Sequence, residues 1–272
     1  MKIREFSQEN SLLSYARVPQ AQYLRCYLSD LDARWVIEEP YFDRDYLEEH
    51  SAFYAALAAR YPNHCTRAHF FDSQFTTEIL DAALGGDASA LLALQKSSLG
   101  FVVLRPLPHA PLGRTVMRWY PDERERYANN PRVVRPSRDY VVHLAGLPLT
   151  VHGLAWQQQD GAVGLCATTA LWSALHSSAF DDHHAVPTTT AVTRFAHQSF
   201  SGGVPRFPAV EGLTDQQMLE TISRAGLTPI LIAGDADDGF NQARFSTLVA
   251  TLVRSRFPVL LSGVVLAGTW CV

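Results

Sequence analysis

The sequence lacks closely spaced cysteines and long apolar runs. Its four cysteines lie far apart, which excludes zinc-ribbon and thioredoxin-type spacings. The longest apolar stretch, residues 258–267, is too short to cross a bilayer, and the first residues carry no secretory signal. Phosphate-binding glycine loops, dinucleotide glycine patterns and nucleophilic-serine elbows are also absent. We therefore expect a cytoplasmic protein with reduced thiols and no membrane partner.

Amino-acid composition and net charge restrict the class of protein further. Hydrophobic residues make up 47% of the 272 residues and charged residues 18%, which is typical of a globular protein and excludes a wholly disordered chain. Lys and Arg number 23 against 27 Asp and Glu, so the formal charge is −4. This balance gives no reason to expect nucleic acid as a partner. The length suffices for one large or two ordinary domains without structural metals or disulfides.

Two halves differ in composition. Residues 23–138 are rich in aromatic and charged side chains, whereas the chain from Leu144 onward is richer in Ala, Thr, Leu and Gly. The polar, proline-interrupted segment 128–139 lies between them and is typical of a connector. We predict an N-terminal module over 1–145 and a second domain over 146–272.

Hydrophobic periodicity predicts helices and strands in both halves. The predicted helices are 45–60, 76–84, 89–95, 166–176, 192–198, 214–225 and 241–256. The predicted strands are 34–39, 99–106, 113–120, 140–144, 228–232 and 258–267, with 99–106 and 113–120 antiparallel. Thr214 and Gln217 form a capping box, and Gly226 follows the same helix. Because helices and strands do not alternate regularly, the pattern favours an α+β fold.

A cysteine opens one of these helices. Three glutamines at 157–159 lead into a glycine-containing loop, and Cys166 then begins the helix predicted over 166–176. The free N–H groups and positive dipole at a helix start favour a thiolate, which lowers the cysteine pKa. The same N–H groups, together with a nearby Gln amide, can hold an oxyanion. The alternative is that Cys166 is a small buried apolar residue in an alanine-rich helix.

Residues 157–172 resemble the papain-like cysteine peptidases, in particular the branch that includes bacteriocin-processing peptidases. By this resemblance Cys166 matches the nucleophile and Gln159 or Gln158 the glutamine that holds the oxyanion. The spacing from Gln159 to Cys166 is one residue longer than usual in that family, and a one-residue bulge would absorb the difference. Residues 67–71, 99–108 and 113–115 are also similar to segments of bacterial proteins that pair an N-terminal module with a papain-like domain.

The resemblance implies a Cys-bearing central helix packed on antiparallel strands and a peptide or protein substrate. It implies no cofactor and no resident metal. In such an enzyme the thiolate attacks the carbonyl carbon of a peptide or isopeptide bond. Two further functions stay open: a non-catalytic binding or regulatory protein on the same scaffold, and acyl transfer in place of hydrolysis.

A cysteine nucleophile of this kind also needs a histidine base. His176 lies about 15 Å from Cys166 along the same helix, at about 1.5 Å per residue, which is too far to pair. In the papain-like order, the histidine opens a strand that follows the one predicted at 258–267, yet the sequence ends soon after it. We therefore expect a C-terminally truncated domain that is inactive in this form. If the chain is active, the base must be His183, His184 or His197.

Four other clusters have residue types found in functional sites. For each of them we expect a structural role or leave the role open. Residues 181–184 (Asp-Asp-His-His) are expected to form a solvated loop rather than a metal site. The set His64, Cys65 and His69 is expected to be partly buried, because a zinc site needs a further ligand. The acidic stretch with Glu38, Glu39, Asp43, Asp45, Glu48 and Glu49 is expected to be a charged helix start and face. For Arg105, Arg114 and Arg118 two roles stay open: they bind an anion, or they are surface charges on an exposed face.

Overall fold

The computed structural model of the chain describes residues 2–5, 19–57, 60–119, 137–160, 166–178, 186–198, 212–232, 234 and 242–262. Within these residues the α-helices are α1 (Pro19–Asp30), α2 (Arg44–Ala52), α3 (Thr77–Leu84), α4 (Ala88–Ser97), α5 (Cys166–Ser178), α6 (Thr189–His197), α7 (Asp215–Arg224) and α8 (Gln242–Arg254). The strands are β1 (Lys2–Glu5), β2 (Arg34–Tyr41), β3 (Cys65–Phe71), β4 (Ser98–Leu104), β5 (Leu112–Met117), β6 (Arg138–Leu144) and β7 (Leu147–Gly153). No described helix combines the length and the apolar character needed to cross a bilayer.

The fold is α+β, as predicted. A five-stranded sheet has the order β1-β2-β3-β4-β5, and every neighbouring pair in it is antiparallel. The predicted antiparallel pair of strands is confirmed as β4 and β5, with Phe101 opposite Val116. Strands β6 and β7 form a separate hairpin.

The described residues fall into two compact units. The first unit comprises those up to Trp119 together with Arg138–Gln158, and the second comprises Ser137 and those from Gln159 onward. A boundary at 145 would pass through the turn of the β6–β7 hairpin. The hairpin belongs to the first unit because β7 hydrogen-bonds to α4: the Gln95 side chain donates to the Thr150 carbonyl and accepts the Thr150 N–H.

One face of the five-stranded sheet carries the apolar core of the first unit. On β3, Ala68 and Phe70 point to this face, and α1 covers it with Leu24 and Leu28. Side chains alternate across a strand, so Arg67 and His69 point to the opposite face. The sheet therefore has one apolar face and one face with buried polar groups at its centre.

The second unit has a smaller core among its described residues. Leu171 and Leu175 of α5 pack with Val186 and with Val192 of α6, and partly buried side chains of α7 contact the same cluster. The helix predicted at 166–176 is confirmed and extends to Ser178. Every residue of α8 is at least partly exposed.

The strand predicted at 228–232 is wrong. Within the described part of the chain these residues pair with no strand, and the side chains of 230–232 are exposed: Ile230 is 77% and Leu231 60% exposed. The apolar, β-branched composition predicted a buried strand, but a strand forms only where a partner supplies hydrogen bonds. Residues 258–262 are likewise outside any sheet, and the rest of the strand predicted at 258–267 lies outside the described residues.

Candidate active site around Cys166

The structure places the Cys166 thiol and the Gln159 amide in contact. Cys166 is exposed and is the first residue of α5, and its Sγ lies 2.7 Å from Gln159 Oε1. Both residues belong to the second unit. Of the glutamines that the sequence left open, Gln159 is therefore the one beside the thiol.

The local geometry has two chemical consequences. The first N–H groups of any α-helix lack acceptors within the helix, so a sulfur at the first residue of α5 lies in a positive field. The contact with Gln159 is that of a neutral thiol, because the amide oxygen accepts a hydrogen bond from Sγ. A thiolate has no proton to donate, so ionisation requires the Gln159 amide to rotate and present its Nε2–H groups instead.

Gln158 lies in the other unit and has different partners. Its Oε1 accepts from the Leu112 N–H at 3.3 Å and its Nε2 donates to the His109 carbonyl at 2.9 Å. Its own carbonyl accepts from Arg105 Nη2 at 2.9 Å. Both ends of the buried amide are thus bound to backbone groups near β5, which fits a structural role rather than the oxyanion role proposed from the sequence.

The histidines after Cys166 are placed as follows. His176 is buried on α5, with its ring centroid 4.2 Å from that of Trp172. It lies ten residues beyond Cys166, about 15 Å away at about 1.5 Å per residue. His197 ends α6, but its side chain is outside the described part of the structure. The predictions on 181–184, which include His183 and His184, and on the chain end also lie outside the described residues.

A second polar cluster lies on the polar face of the sheet in the first unit. Glu38 Oε2 accepts from Arg67 Nε at 2.6 Å and contacts His69 Nε2 at 2.9 Å, while Oε1 accepts the Ala145 N–H at 3.1 Å. Arg67 also donates to the His143 carbonyl. Burial raises the pKa of Glu38, but the hydrogen bonds from His69, Arg67 and Ala145 outweigh it and lower the pKa to about 2.

Burial lowers the pKa of His69 below its ordinary value, and the hydrogen bond to Glu38 offsets only part of that effect. The sequence analysis expected a partly buried His69 and did not connect it with Glu38. The available signal was the alternation of Arg67 and His69 in an otherwise apolar strand, since a buried charge requires a partner of opposite sign.

The expected charged helix start and face is observed only in part. Asp43 caps α2 by accepting the N–H groups of Asp45 and Tyr46, and Glu48 is exposed. Asp43, Asp45 and Glu49, however, are buried. Asp43 and Glu49 pair with arginines that are distant in sequence, a fact that local sequence does not contain.

Arginine side chains supply those partners. Arg105 is buried, and its Nη1 lies 3.2 Å from Glu49 Oε2 while its other nitrogens donate to the carbonyls of Ala110, Leu112 and Gln158. Arg114 Nη2 donates to Asp43 Oδ2 at 2.9 Å. Arg118 donates to the Lys96 and Gln95 carbonyls. Their guanidinium groups thus serve partners within the protein, and the anion site considered from the sequence finds no support in these contacts.

The set His64, Cys65 and His69 does not converge on one point. The His64 ring contacts Phe42, His69 bonds to Glu38, and burial raises the pKa of the Cys65 thiol. Across the part of the chain that the structure describes, no group of three or more His, Cys, Asp or Glu side chains could hold a metal ion.

Among the sequence-based candidates, Cys166 and Gln159 are therefore the pair that the structure brings together. The chain was also compared with known proteins. No family model, no curated protein and no solved structure matches it.

Proposed function

We propose that the chain is a papain-like cysteine hydrolase in which Cys166 attacks the carbonyl carbon of a peptide or isopeptide bond. The observation that carries this proposal is the exposed thiol at the start of α5, 2.7 Å from the Gln159 amide. A helix N-terminus that favours a thiolate and an amide that can turn toward an oxyanion are two of the three parts of such a site.

The reaction proceeds in two steps. In the first, a base takes the Sγ proton, Sγ bonds to the carbonyl carbon, and the C–N bond breaks as the amine leaves with that proton. In the second, water attacks the thioester, and the acid and the free thiol are released. The base has to be a histidine, so this chain is active only if His183, His184 or His197 serves as that base.

Gln159 holds the developing oxyanion in this scheme. Its Nε2 donates to the oxygen of the tetrahedral intermediate together with the Cys166 N–H. Loss of one such donor lowers turnover by about 10²- to 10³-fold in well-studied hydrolases. Gln159→Ala should therefore leave alkylation of the thiol intact while reducing turnover of an amide substrate.

Thiol reactivity tests whether the Cys166 thiol is activated, because alkylation needs no base from elsewhere in the chain. Iodoacetamide labelling of the intact protein, read by peptide mass spectrometry, reports every cysteine in one sample. Cys26, which is exposed on α1, is the internal control, and the buried Cys65 sets the lower limit. At about pH 6.5 we expect Cys166 to react at least about tenfold faster than Cys26, the factor that one pKa unit supplies.

Turnover of an amide substrate tests whether Cys166 is the nucleophile in hydrolysis. Hydrolysis of a peptide amide library should be lost in Cys166→Ala and unchanged in Cys26→Ala. Equal reactivity of Cys166 and Cys26, or turnover that survives Cys166→Ala, would contradict the proposal. An added amine that diverts the product from acid to amide would identify acyl transfer in place of hydrolysis.

A binding or regulatory protein is the second candidate, and exposed apolar side chains favour it. Ile230, Leu231 and Ile232 form a consecutive exposed run in the second unit. Contiguous exposed apolar surface commonly marks a contact with another molecule. On this alternative, Cys166→Ala leaves binding intact, whereas Ile230→Ser with Ile232→Ser abolishes it.

A further inference from the structure

Two carboxyl groups lie in the interior at the start of α2. Asp43 and Asp45 are each only 2% exposed. Asp43 is fully partnered as a carboxylate: Oδ1 accepts the N–H groups of Asp45 at 3.1 Å and Tyr46 at 3.2 Å, and Oδ2 accepts from Arg114 Nη2 at 2.9 Å. Every one of these contacts is donated to Asp43, so both of its carboxyl oxygens have hydrogen-bond donors.

Asp45 has no comparable set of donors. Its Oδ1 lies 3.4 Å from the guanidinium of Arg44, whose side chain is mostly exposed. Its Oδ2 is buried and has no hydrogen-bond partner among the described residues. A buried carboxylate oxygen without a donor is costly, and a carboxyl group avoids that cost by keeping its proton.

The charges that face this position come from several elements. Asp43 precedes α2, and Arg114 on β5 is shared between the two aspartates but bonds to Asp43. Tyr41 at the end of β2 bonds to Arg114, and Glu49 further along α2 is paired with Arg105, the residue that follows β4. The Cys65 thiol on β3 is buried, and its raised pKa keeps it neutral. Asp45 is therefore the acidic group that these cations leave without a close partner.

We propose that Asp45 holds its proton in the folded first unit, so that the start of α2 is a pH-sensitive element that loosens as the pH rises. The neighbouring groups agree with this assignment. Burial, and then the charge of Asp43, raise the pKa of Asp45 above its ordinary value of 3.8, and Arg114 and Arg44 oppose that rise.

The sign of the pH effect follows from linkage. Between the ordinary pKa of an aspartic acid and the raised pKa of Asp45, the folded state binds a proton that the unfolded state has lost. Stability in that window therefore falls as the pH rises. The effect is opposite to that of Glu38, whose lowered pKa makes the protein lose stability as the pH falls.

Hydrogen exchange of the full chain tests the proposal at the helix itself. The readout is the protection of the peptide that contains α2 at about pH 4 and about pH 8, with rates divided by the intrinsic exchange rates. In the wild type we expect protection to fall as the pH rises from the ordinary pKa of an aspartic acid through the raised pKa of Asp45. Asp45→Asn, which is neutral and of the same shape, should keep its protection at both values.

Asp81→Asn on the exposed face of α3 is the matched control and should show the wild-type fall. Equal protection of the wild type at both pH values, or lower protection of Asp45→Asn than of the wild type near pH 8, would overturn the proposal. If Asp45→Asn does not fold, a ¹³C NMR titration of the aspartate carboxyl groups in the wild type tests the proposal instead. One carboxyl that titrates well above the others supports the proposal, and uniform titration near the ordinary value rejects it.

Discussion

The two units use their apolar and charged side chains differently. In the first unit the β-sheet buries Trp35, Phe70 and Leu28 completely or nearly so, together with the ion-paired Glu49 and Arg105. In the second unit, the apolar residues 230–232 pair with no strand of the described structure and are exposed. Apolar composition alone therefore does not decide burial in this protein. What decides it is whether the segment has strands or helices to pack against.

The largest effect on stability is expected from a Leu→Ala substitution, which we compare between one site in the first unit and one site in the second. Leu28→Ala removes a side chain that is fully buried in the core between α1 and the sheet, and Leu261→Ala truncates one that is 57% exposed. We expect Leu28→Ala to lower the free energy of unfolding by about 2–5 kcal/mol. Leu261→Ala should change it by less than about 0.5 kcal/mol.

Urea denaturation of the full chain measures both variants. Native-state hydrogen exchange of β3 amides assigns the loss in Leu28→Ala to the first unit. A loss in Leu261→Ala as large as that in Leu28→Ala would show that residue 261 is buried in solution, and the contrast between the units would fail.

An effect of intermediate size is expected at Glu38. Glu38→Gln removes the charge that pairs with Arg67 and accepts a hydrogen bond from His69, and leaving these buried donors with a weaker acceptor should cost about 1–3 kcal/mol at neutral pH. The lowered pKa of Glu38 stabilises the first unit above the ordinary pKa of 4.5, and this contribution is lost as the pH falls toward about 2.

The measurement is the urea midpoint at about pH 7 and at about pH 3, since the contribution of Glu38 is present at the first and partly lost at the second. The difference between wild type and Glu38→Gln should shrink at the lower pH. Glu39→Gln, one residue along the same strand, is the control and should follow the wild type. An equal difference at both pH values would mean that the charge of Glu38 is not what stabilises the sheet.

The smallest effect is expected in the second unit. Thr214 caps α7, and its hydroxyl accepts the Gln217 N–H while the Gln217 side chain accepts the Thr214 N–H. Thr214→Ala should cost about 1 kcal/mol of local stability. Hydrogen exchange of the α7 peptide should report the loss, whereas β3 in the first unit should be unaffected. Thr214→Ser, which keeps the hydroxyl, should restore most of the protection.

Local sequence signals predicted the helices well. The capping box at Thr214 is confirmed, and the helix predicted at 241–256 is observed as α8. These elements were predictable because caps and helical periodicity act within a few residues. Helix α1 was not predicted, although Ala21, Leu24 and Leu28 have helical spacing.

Properties that depend on distant partners were not predictable in the same way. Strand pairing determines that Arg105 and Asp45 are buried and that Ile230 is exposed. This pairing cannot be inferred from local patterns in a single sequence. The candidate site was predictable only in part. Cys166 and its helix start were evident from the sequence, whereas the choice between Gln158 and Gln159 required the positions of Leu112 and His109.

The bonds of Arg105 have a consequence for how the chain folds. They connect the residue that follows β4 to Glu49, which is 56 residues away, and to Gln158, which is 53 residues away, while Arg67 reaches His143 across 76 residues. Contacts between residues so distant in sequence form only after long loops close, and an ionised guanidinium has no place in the interior until its acceptors arrive. The first unit should therefore fold in about milliseconds to seconds rather than microseconds, the range of domains dominated by non-local pairing.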